Sequence, residues 1–381
     1  MTIRRDAGRR DAGGDNGAGG NAPSCLVRVG GKAPRPHEVD ADWLEAMLAR
    51  NSRAAKIAGV SAQGIGTGQI GEAARFTIDY APGPDSGPRT IVGKFSSQDE
   101  TSLAVAAAWS LYERELRFYD TIAPHARIDV PVCHGAAMAA DGSFALLLED
   151  LAPALPGDQF RGLDLPDAER AVRNAARLHA AFWEQGEQPQ FAWLDSGPLA
   201  QPFYAPEVFR DTWPRFRDRY AALLADRHIA VCDELAEHYD TYSRPRARPR
   251  CITHNDFRPD NMLISPERLT TVDWQSVALG TAEVDIAYLI GGAYDPVDRC
   301  DAEAHLLPCY LDEMHRQGVS GYTFAELEQE YRHFTFAGIN VAVGAAMLVQ
   351  RTERGDRLFL TMLDRHVSHV LDHHALDLIR T

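Results

Sequence analysis

The chain has 381 residues, is 45% hydrophobic and 24% charged as ordinary globular proteins are, and carries a formal charge of −15. That length exceeds what one core needs and suits two lobes plus a tail. The negative balance argues against nucleic acid and anionic membranes as partners, whose phosphates would repel it. Six cysteines without a C-x-x-C pair read as reduced thiols of a cytoplasmic protein.

Residues 1–24 read as a disordered tail. Arg4-Arg5-Asp6-Ala7-Gly8 repeats directly as Arg9-Arg10-Asp11-Ala12-Gly13, and a Gly/Asn stretch follows. Almost no apolar surface is there to offset the entropy lost on folding. An export signal would need an apolar run after the paired arginines, and none follows. A first lobe is predicted over 25–148. In it Gly64-Ile65-Gly66-Thr67-Gly68-Gln69-Ile70-Gly71 would let the backbone approach a polyphosphate, because glycine has no Cβ in the way. Gly66, Gly68 and Gly71 also fit a dinucleotide fingerprint, but that motif must run into a helix. Residues 74–80 alternate in polarity instead, as a strand does. The glycine loop therefore lies between strands.

The next strand, 90–95, carries Lys94, one of only three lysines against thirty-six arginines. A compact ammonium on a flexible stem is not interchangeable with a guanidinium fork, so Lys94 is assigned to the α/β-phosphates of a nucleotide. Residues 97–122 lack Pro and Gly and read as one helix. Leu111, Glu115 and Phe118 follow three-to-four spacing, which sets Glu115 beside the apolar stripe as the partner of Lys94 and leaves Glu113 in solvent. An apolar strand over 144–148 ends this lobe. Residues 149–152 form a hinge, where an adenine would hydrogen-bond to backbone groups of Glu149 and Leu151. The second lobe, 153–381, reads as mainly helical, for example over 167–185 with an Asp cap and Leu178, Phe182 and Trp183 on one face. In it 334–349 is a buried helix, too short for a membrane span.

The chemistry concentrates at His254-Asn255-Asp256-Phe257-Arg258-Pro259-Asp260-Asn261, followed by Asp273-Trp274-Gln275. Phosphoryl transfer from a nucleotide asks for this set. Asp256 is placed to take the proton of an acceptor hydroxyl. Asn261 and Asp273 supply hard oxygen ligands for Mg²⁺. The polar groups abut Met262-Leu263-Ile264 and Thr271-Val272, so the unit reads as loop, strand, turn, strand. His254 is read as bracing the loop by hydrogen bonds, since Asp256 is better placed as the base. His179 is read as a core residue. His366, His369 and His373 share a helix face but have no Cys to complete a metal site, and are read as solvated.

Together these motifs resemble the aminoglycoside phosphotransferase and choline-kinase-like superfamily, especially its ecdysteroid-kinase-like and bacterial branches. The resemblance rests on the glycine stretch, Lys94, Glu115-Leu116-Arg117-Phe118-Tyr119, Leu148-Glu149-Asp150-Leu151, the His254–Asn261 and Asp273–Gln275 motifs, and Gly280 to Tyr288. It covers about residues 55–290. It implies an α+β, bilobal protein-kinase-like fold, with a small antiparallel-sheet N-lobe and a larger mainly helical C-lobe. It further implies ATP (or GTP) and Mg²⁺ as cofactors, a small-molecule hydroxyl as acceptor, and Asp285 as a brace of the catalytic loop. A protein kinase is disfavoured because Asp273-Trp274-Gln275 replaces D-F-G and no A-P-E follows it. A pseudokinase-like binding protein would have lost Lys94, Asp256 or Asp273.

The acceptor is less defined. An aminoglycoside wants many carboxylates. Residues 281–381 hold sixteen Asp/Glu against eight Arg, but 151–250 hold fifteen against thirteen. The latter stretch is aromatic instead, with Phe160, Trp183, Phe191, Trp193, Phe203, Tyr204, Phe209, Trp213 and Phe216. Rings that line a cleft suit an apolar or ring-bearing hydroxyl compound.

Overall fold

The computed structural model describes residues 24–49, 56–66, 71–83, 87–186, 188–196 and 205–380. The tail up to residue 23, Gly68, Phe203 and Tyr204 lie outside the described residues.

Strands β1 (Leu26–Val29), β2 (Ile57–Gly64), β3 (Gly71–Tyr80), β4 (Thr90–Ser96), β5 (Cys133–Ala139) and β6 (Phe144–Glu149) form one sheet in the order β1-β5-β6-β4-β3-β2. Neighbours are antiparallel except at the edge, where β1 runs parallel to β5. No hairpin joins those two strands, so nothing forces them to be antiparallel. The two-residue period sorts the side chains. Ile91 and Phe95 of β4 join Phe76 and Ile78 of β3 in an apolar layer, closed by Leu44 and Met47 of α1 (Ala41–Leu48). On β6, Ala145 and Leu147 face this layer, whereas Phe144, Leu146 and Leu148 face the main core. Lys94 lies between Gly93 and Phe95 and so projects from the opposite face of β4.

One helix is expected over 97–122, and the segment is divided: α2 (Glu100–Ala108) and α3 (Leu111–Arg117), the latter running on into a π-helical turn over Phe118–Ile122. Ser110, with φ of 55°, breaks them. α2 has apolar residues all round and buries only Ser102 and Ala106, whereas α3 buries Leu111, Tyr112, Arg114, Glu115 and Leu116. The break lets α3 dock at an angle of its own. Arg114 anchors it by donating to the carbonyls of Val277, Leu194 and Ser196.

Helices build the rest: α4 (Leu165–Ala181), α5 (Pro206–Arg219), α6 (Asp226–Glu237), α7 (Tyr239–Tyr242), α8 (Glu283–Ala293), α9 (Pro296–Arg316), α10 (Phe324–His333), α11 (Ala337–Leu348) and α12 (Glu353–Asp372). α4 starts earlier than its pattern suggested, because Asp164 is the cap, accepting from the Asp167 N–H at 2.9 Å, and Pro166 fits the first turn. α8 is buried along its whole length, and α11 nearly so.

The solvated reading of His366, His369 and His373 is overturned. His366 and His369 are fully buried, and His373 is largely so. Glycines on neighbouring helices make the room: a Cβ at Gly338 would fall 2.0 Å from the His366 ring, and one at Gly291 would fall 2.4 Å from His369 Nδ1. His369 Nε2 and His373 Nε2 each lie 3.1 Å from a carboxylate oxygen of Glu303. Burial pushes His369 down to about 4, so it packs as a neutral ring.

Short strands position the catalytic loops. β8 (Cys251–Thr253) pairs with β11 (Ala278–Gly280), while β7 (Leu155–Pro156), β9 (Met262–Ile264) and β10 (Leu269–Thr271) form a second small sheet. Both loops, 254–261 and 272–277, are thus clamped at each end. The 157–162 segment packs on the first loop and on the end of α8 through glycines: a Cβ at Gly157 would meet the Pro259 carbonyl oxygen at 2.3 Å, and one at Gly162 would meet that of Ala293 at 1.8 Å. Gly162 also has φ of 70°. Gly162→Ala is expected to destabilise the protein by about 2 kcal/mol or more, measured by urea denaturation. Unchanged stability would show that this segment is not packed on α8.

Candidate active site

A buried carboxylate organises the catalytic loop. Asp285 of α8 is fully buried and accepts from the backbone N–H groups of His254 (2.7 Å) and Asn255 (2.8 Å). His179 Nε2 donates to the same carboxylate at 3.2 Å, while His179 Nδ1 faces the Tyr310 hydroxyl at 3.0 Å. His179 is therefore core, as its helix pattern suggested, and also part of this brace. Asn255 adopts φ of 60°, a strained value for a residue other than glycine, and its amide donates to Thr253 Oγ1 and the Ser276 carbonyl. His254 spends both ring nitrogens within the loop: Nε2 donates to the Val272 carbonyl (3.0 Å) and Nδ1 accepts from the Asp256 N–H (3.2 Å). Neither nitrogen is left to act as a base.

Asp256 is half-buried and held on both oxygens. Oδ2 accepts from Asn261 Nδ2 at 2.8 Å, and Oδ1 accepts from Arg258 Nε and the Tyr288 hydroxyl, each at 3.0 Å. Arg258 and Tyr288 are functional neighbours that the sequence reading missed. Their signals were available: Arg258 lies two residues past Asp256, and Tyr288 one helical turn past Asp285. Asn261 Nδ2 also donates to the Asp256 carbonyl, so its Oδ1 is the atom it has to offer a cation.

Lys94 joins the sheet to the second loop. Its Nζ lies 2.7 Å from Glu115 Oε2, 2.9 Å from Oε1, and 2.7 Å from Asp273 Oδ1. Burial would lower the ammonium's pKa, but Asp273 and Glu115 outweigh burial and hold it above its ordinary value. Burial raises the Glu115 carboxyl in spite of Lys94; at Asp273 burial is outweighed, chiefly by Lys94, and the carboxyl is lowered. Glu113 points away, as expected, and pairs with Arg28 and Arg117 at the surface. Asp273 has φ of 66°, and the next residue, Trp274, stacks flat on Phe118 just past α3 with centroids 3.7 Å apart. That stack ties the Asp273 turn to the helix that carries Glu115.

The glycine loop joins β2 to β3, as a strand–loop–strand unit requires. Gly66 has φ of 72°, and Gly71 passes so close to β4 that a Cβ would meet the Phe95 carbonyl oxygen at 2.7 Å. At the predicted hinge, Arg75 of β3 grips Asp150 through Nε (2.8 Å) and Nη2 (3.1 Å). The Glu149 N–H donates to the Val132 carbonyl and the Leu151 carbonyl accepts from Ala154. Glu149 can thus offer a ligand its carbonyl, and Leu151 its N–H.

Of the aromatics between 151 and 250, Phe191, Phe209, Trp213 and Phe216 are core, and Trp183 and Trp193 pack against it. Phe160 is half-buried, packs against the same core, and follows Gly157, which abuts the Pro259 carbonyl of the 254–261 loop. An amide oxygen and a carboxylate, Asn261 and Asp273, make a hard-oxygen pair suited to Mg²⁺ with retained waters.

A mixed sheet over a helical body, with an ammonium, a base-type carboxylate and a hard-oxygen pair converging between them, defines a kinase-like phosphotransferase fold. Residues 104–308, more than half of the chain, match the model of the phosphotransferase enzyme family, and the chain belongs to that family, which acts on small molecules. Solved structures share its fold. A candidate aminoglycoside phosphotransferase of Ralstonia eutropha is 14% identical with a TM-score of 0.51, covering 86% of this chain and 97% of that one. Choline kinase from Cryptosporidium parvum is 11% identical (TM-score 0.51; 83% and 89% covered). Ethanolamine kinase from Plasmodium vivax is 11% identical (TM-score 0.52; 81% of each). No curated protein sequence matches the chain. Among the described residues, no helix is long and apolar enough to cross a membrane.

The first turn of α8 also carries Glu283, fully buried, which accepts from the Tyr322 hydroxyl. Burial lifts its carboxyl from 4.5 to about 7. The folded state then binds this proton more tightly than the unfolded chain does. The resulting stability is present below about pH 4.5 and is lost as pH rises through about 7, about 3 kcal/mol in all. Glu283→Gln is expected to gain stability relative to wild type across that window, measured by urea denaturation at stepped pH. Parallel wild-type and variant profiles would show that Glu283 titrates normally.

Proposed function

We propose that the chain is a cytoplasmic small-molecule kinase that moves the γ-phosphate of ATP or GTP, bound with Mg²⁺, to a hydroxyl group. One observation carries this reading. Lys94 on β4, Glu115 on α3 and Asp273 beyond β10 meet within hydrogen-bond distance, although 179 residues separate the first from the last. Asp256 and Asn261 lie on the adjoining loop.

In this reading residues 25–148 form the N-lobe, 149–152 the hinge and 153–381 the C-lobe. The Glu149 carbonyl and Leu151 N–H receive the adenine edge, and Gly66, Gly68 and Gly71 let the backbone lie against the phosphates. Lys94, oriented by Glu115, binds the α/β-phosphates. Asn261 Oδ1 and Asp273 hold Mg²⁺, which neutralises charge on the phosphates. Asp256 accepts the hydroxyl proton as the acceptor oxygen attacks. Retention of all these groups supports an enzyme over a pseudokinase-like binding protein. An apolar or ring-bearing acceptor now rests on Phe160, since most of the other described rings are core.

Mass spectrometry of a metabolite extract incubated with enzyme and Mg·ATP should show new phosphate esters of small molecules, not phosphoprotein. Asp256→Asn should lower kcat by about 10²–10⁴-fold and leave nucleotide affinity near wild type. Asp273→Ala should weaken both. Lys94→Arg should fail to restore the activity lost in Lys94→Ala, because a guanidinium cannot reproduce the contacts of the ammonium. Full activity of Asp256→Asn would remove the base assignment, and full activity of Lys94→Arg would remove the phosphate contact.

A further inference from the structure

The acceptor side of the catalytic loop is cationic in a protein of net charge −15. Asp260, next to Asn261, is the carboxylate best placed to receive a positively charged acceptor, and both of its oxygens are spent. Oδ1 accepts from the Gln159 N–H at 2.8 Å, and Oδ2 accepts from Arg258 Nη1 at 2.8 Å. Arg354 of α12 adds a third partner, with Nη1 at 3.8 Å from Oδ2. Most neighbouring acids are engaged too: Asp158 accepts from the Phe160 and Arg161 N–H groups, Asp295 pairs with Arg365, and Asp356 binds Arg351 and Tyr220, which leaves Glu353, exposed in the first turn of α12.

Positive charge has fewer partners there. Arg354 and Arg357 are exposed, one turn apart, and both lie over the half-buried Phe160 ring, at 5.3 and 5.8 Å from its centroid. No carboxylate among the described residues pairs with Arg357. Phe160 is fixed by the segment it sits on: Gly157 admits the Pro259 carbonyl, and the Phe160 carbonyl accepts from Arg365 at 3.1 Å. Two guanidinium groups and a fixed ring thus border the loop that carries Asp256.

We propose that the acceptor bears an acidic group, a carboxylate or phosphate, held by Arg354 and Arg357, with its apolar part against Phe160 and its hydroxyl at Asp256. This rests on the phosphotransferase reading and narrows it. Guanidinium groups recognise carboxylate and phosphate with paired donors, whereas a polycationic aminoglycoside would meet like charge and, apart from Glu353, occupied carboxylates. The transfer balances: the hydroxyl oxygen bonds the γ-phosphorus, the bond to the β-phosphate bridging oxygen breaks, and Asp256 takes the proton.

The test uses matched hydroxy compounds of one carbon skeleton: medium-chain ω-hydroxy acids, their methyl esters, the corresponding amino alcohols, and phosphate monoesters of the corresponding diols. Phosphoryl transfer from Mg·ATP is measured for each. The acids or phosphate monoesters should exceed esters and amino alcohols by about tenfold or more in kcat/KM, and whichever of the two is better identifies the anion. In the Arg354→Ala/Arg357→Ala variant, KM for the anionic member should rise about tenfold, kcat should change by less than about twofold, and discrimination against the ester should collapse. Preference for amino alcohols or esters, or an unmoved KM in the variant, would overturn the inference and leave the phosphotransferase reading standing. Absence of both transfer and Asp256-dependent ADP release would overturn the phosphotransferase reading. If ADP forms without transfer, thermal shifts of the Mg·ADP-loaded protein with the acid and its ester decide. A larger shift with the acid, lost in the double variant, supports the anionic site, and equal shifts reject it.

Discussion

Asp285 is the group on which the site depends. A carboxylate removed from water costs several kcal/mol unless its oxygens are satisfied. Here they are satisfied by two consecutive backbone N–H groups and an imidazole. The dependence runs both ways, since each buried N–H left without an acceptor would cost about 1–3 kcal/mol. The loop adopts the left-handed turn at Asn255 because that turn aims both N–H groups at one carboxylate. The turn then delivers Asp256 to Asn261, Arg258 and Tyr288. A chain of contacts from α4 through α8 thus ends at Asp256.

The Lys94 cluster solves a different problem, that of joining two bodies of unlike architecture. Lys94 leaves the face of β4 opposite its apolar layer, and only a partner outside the sheet can neutralise it. Glu115 supplies one charge from α3 and Asp273 another from the catalytic side. The flat stack of Trp274 on Phe118 keeps those two carboxylates at a fixed distance. The ammonium is therefore strongly held yet partly solvent-facing, with 22% of its side chain exposed, which leaves it an approach for a phosphate.

What the sequence made legible follows from what its patterns encode. Period-two alternation revealed β3 and β4 because one face of each strand is buried and the other is not. The His254–Asn261 run was readable as a braced loop because its hydrogen bonds join residues at short spacing, His254 to Asp256 and Asp256 to Asn261. Three-to-four spacing selected Glu115 over Glu113 correctly, yet it could not reveal the break at Ser110, since that residue pattern is helical throughout. It failed for His366 and His369 for a related reason. Their burial depends on Gly291 and Gly338, which make room from two other helices, and no local periodicity carries that information. The aromatics of 151–250 could not be sorted from sequence for the same reason, because core packing and cleft lining use the same side chains.

The arginines near Asp256 illustrate how charge composition and local field differ. The chain is acidic overall, yet the loop itself pairs each carboxylate with a guanidinium. Arg258 bridges Asp256 and Asp260, so one cation spans both carboxylates of the loop. Its Nε lies on Asp256 Oδ1 and its Nη1 on Asp260 Oδ2, so one planar group fixes the separation of the two carboxylates. A phosphate brought beside Asp256 would compete for Nε of that guanidinium, and Asp260 would still hold Nη1.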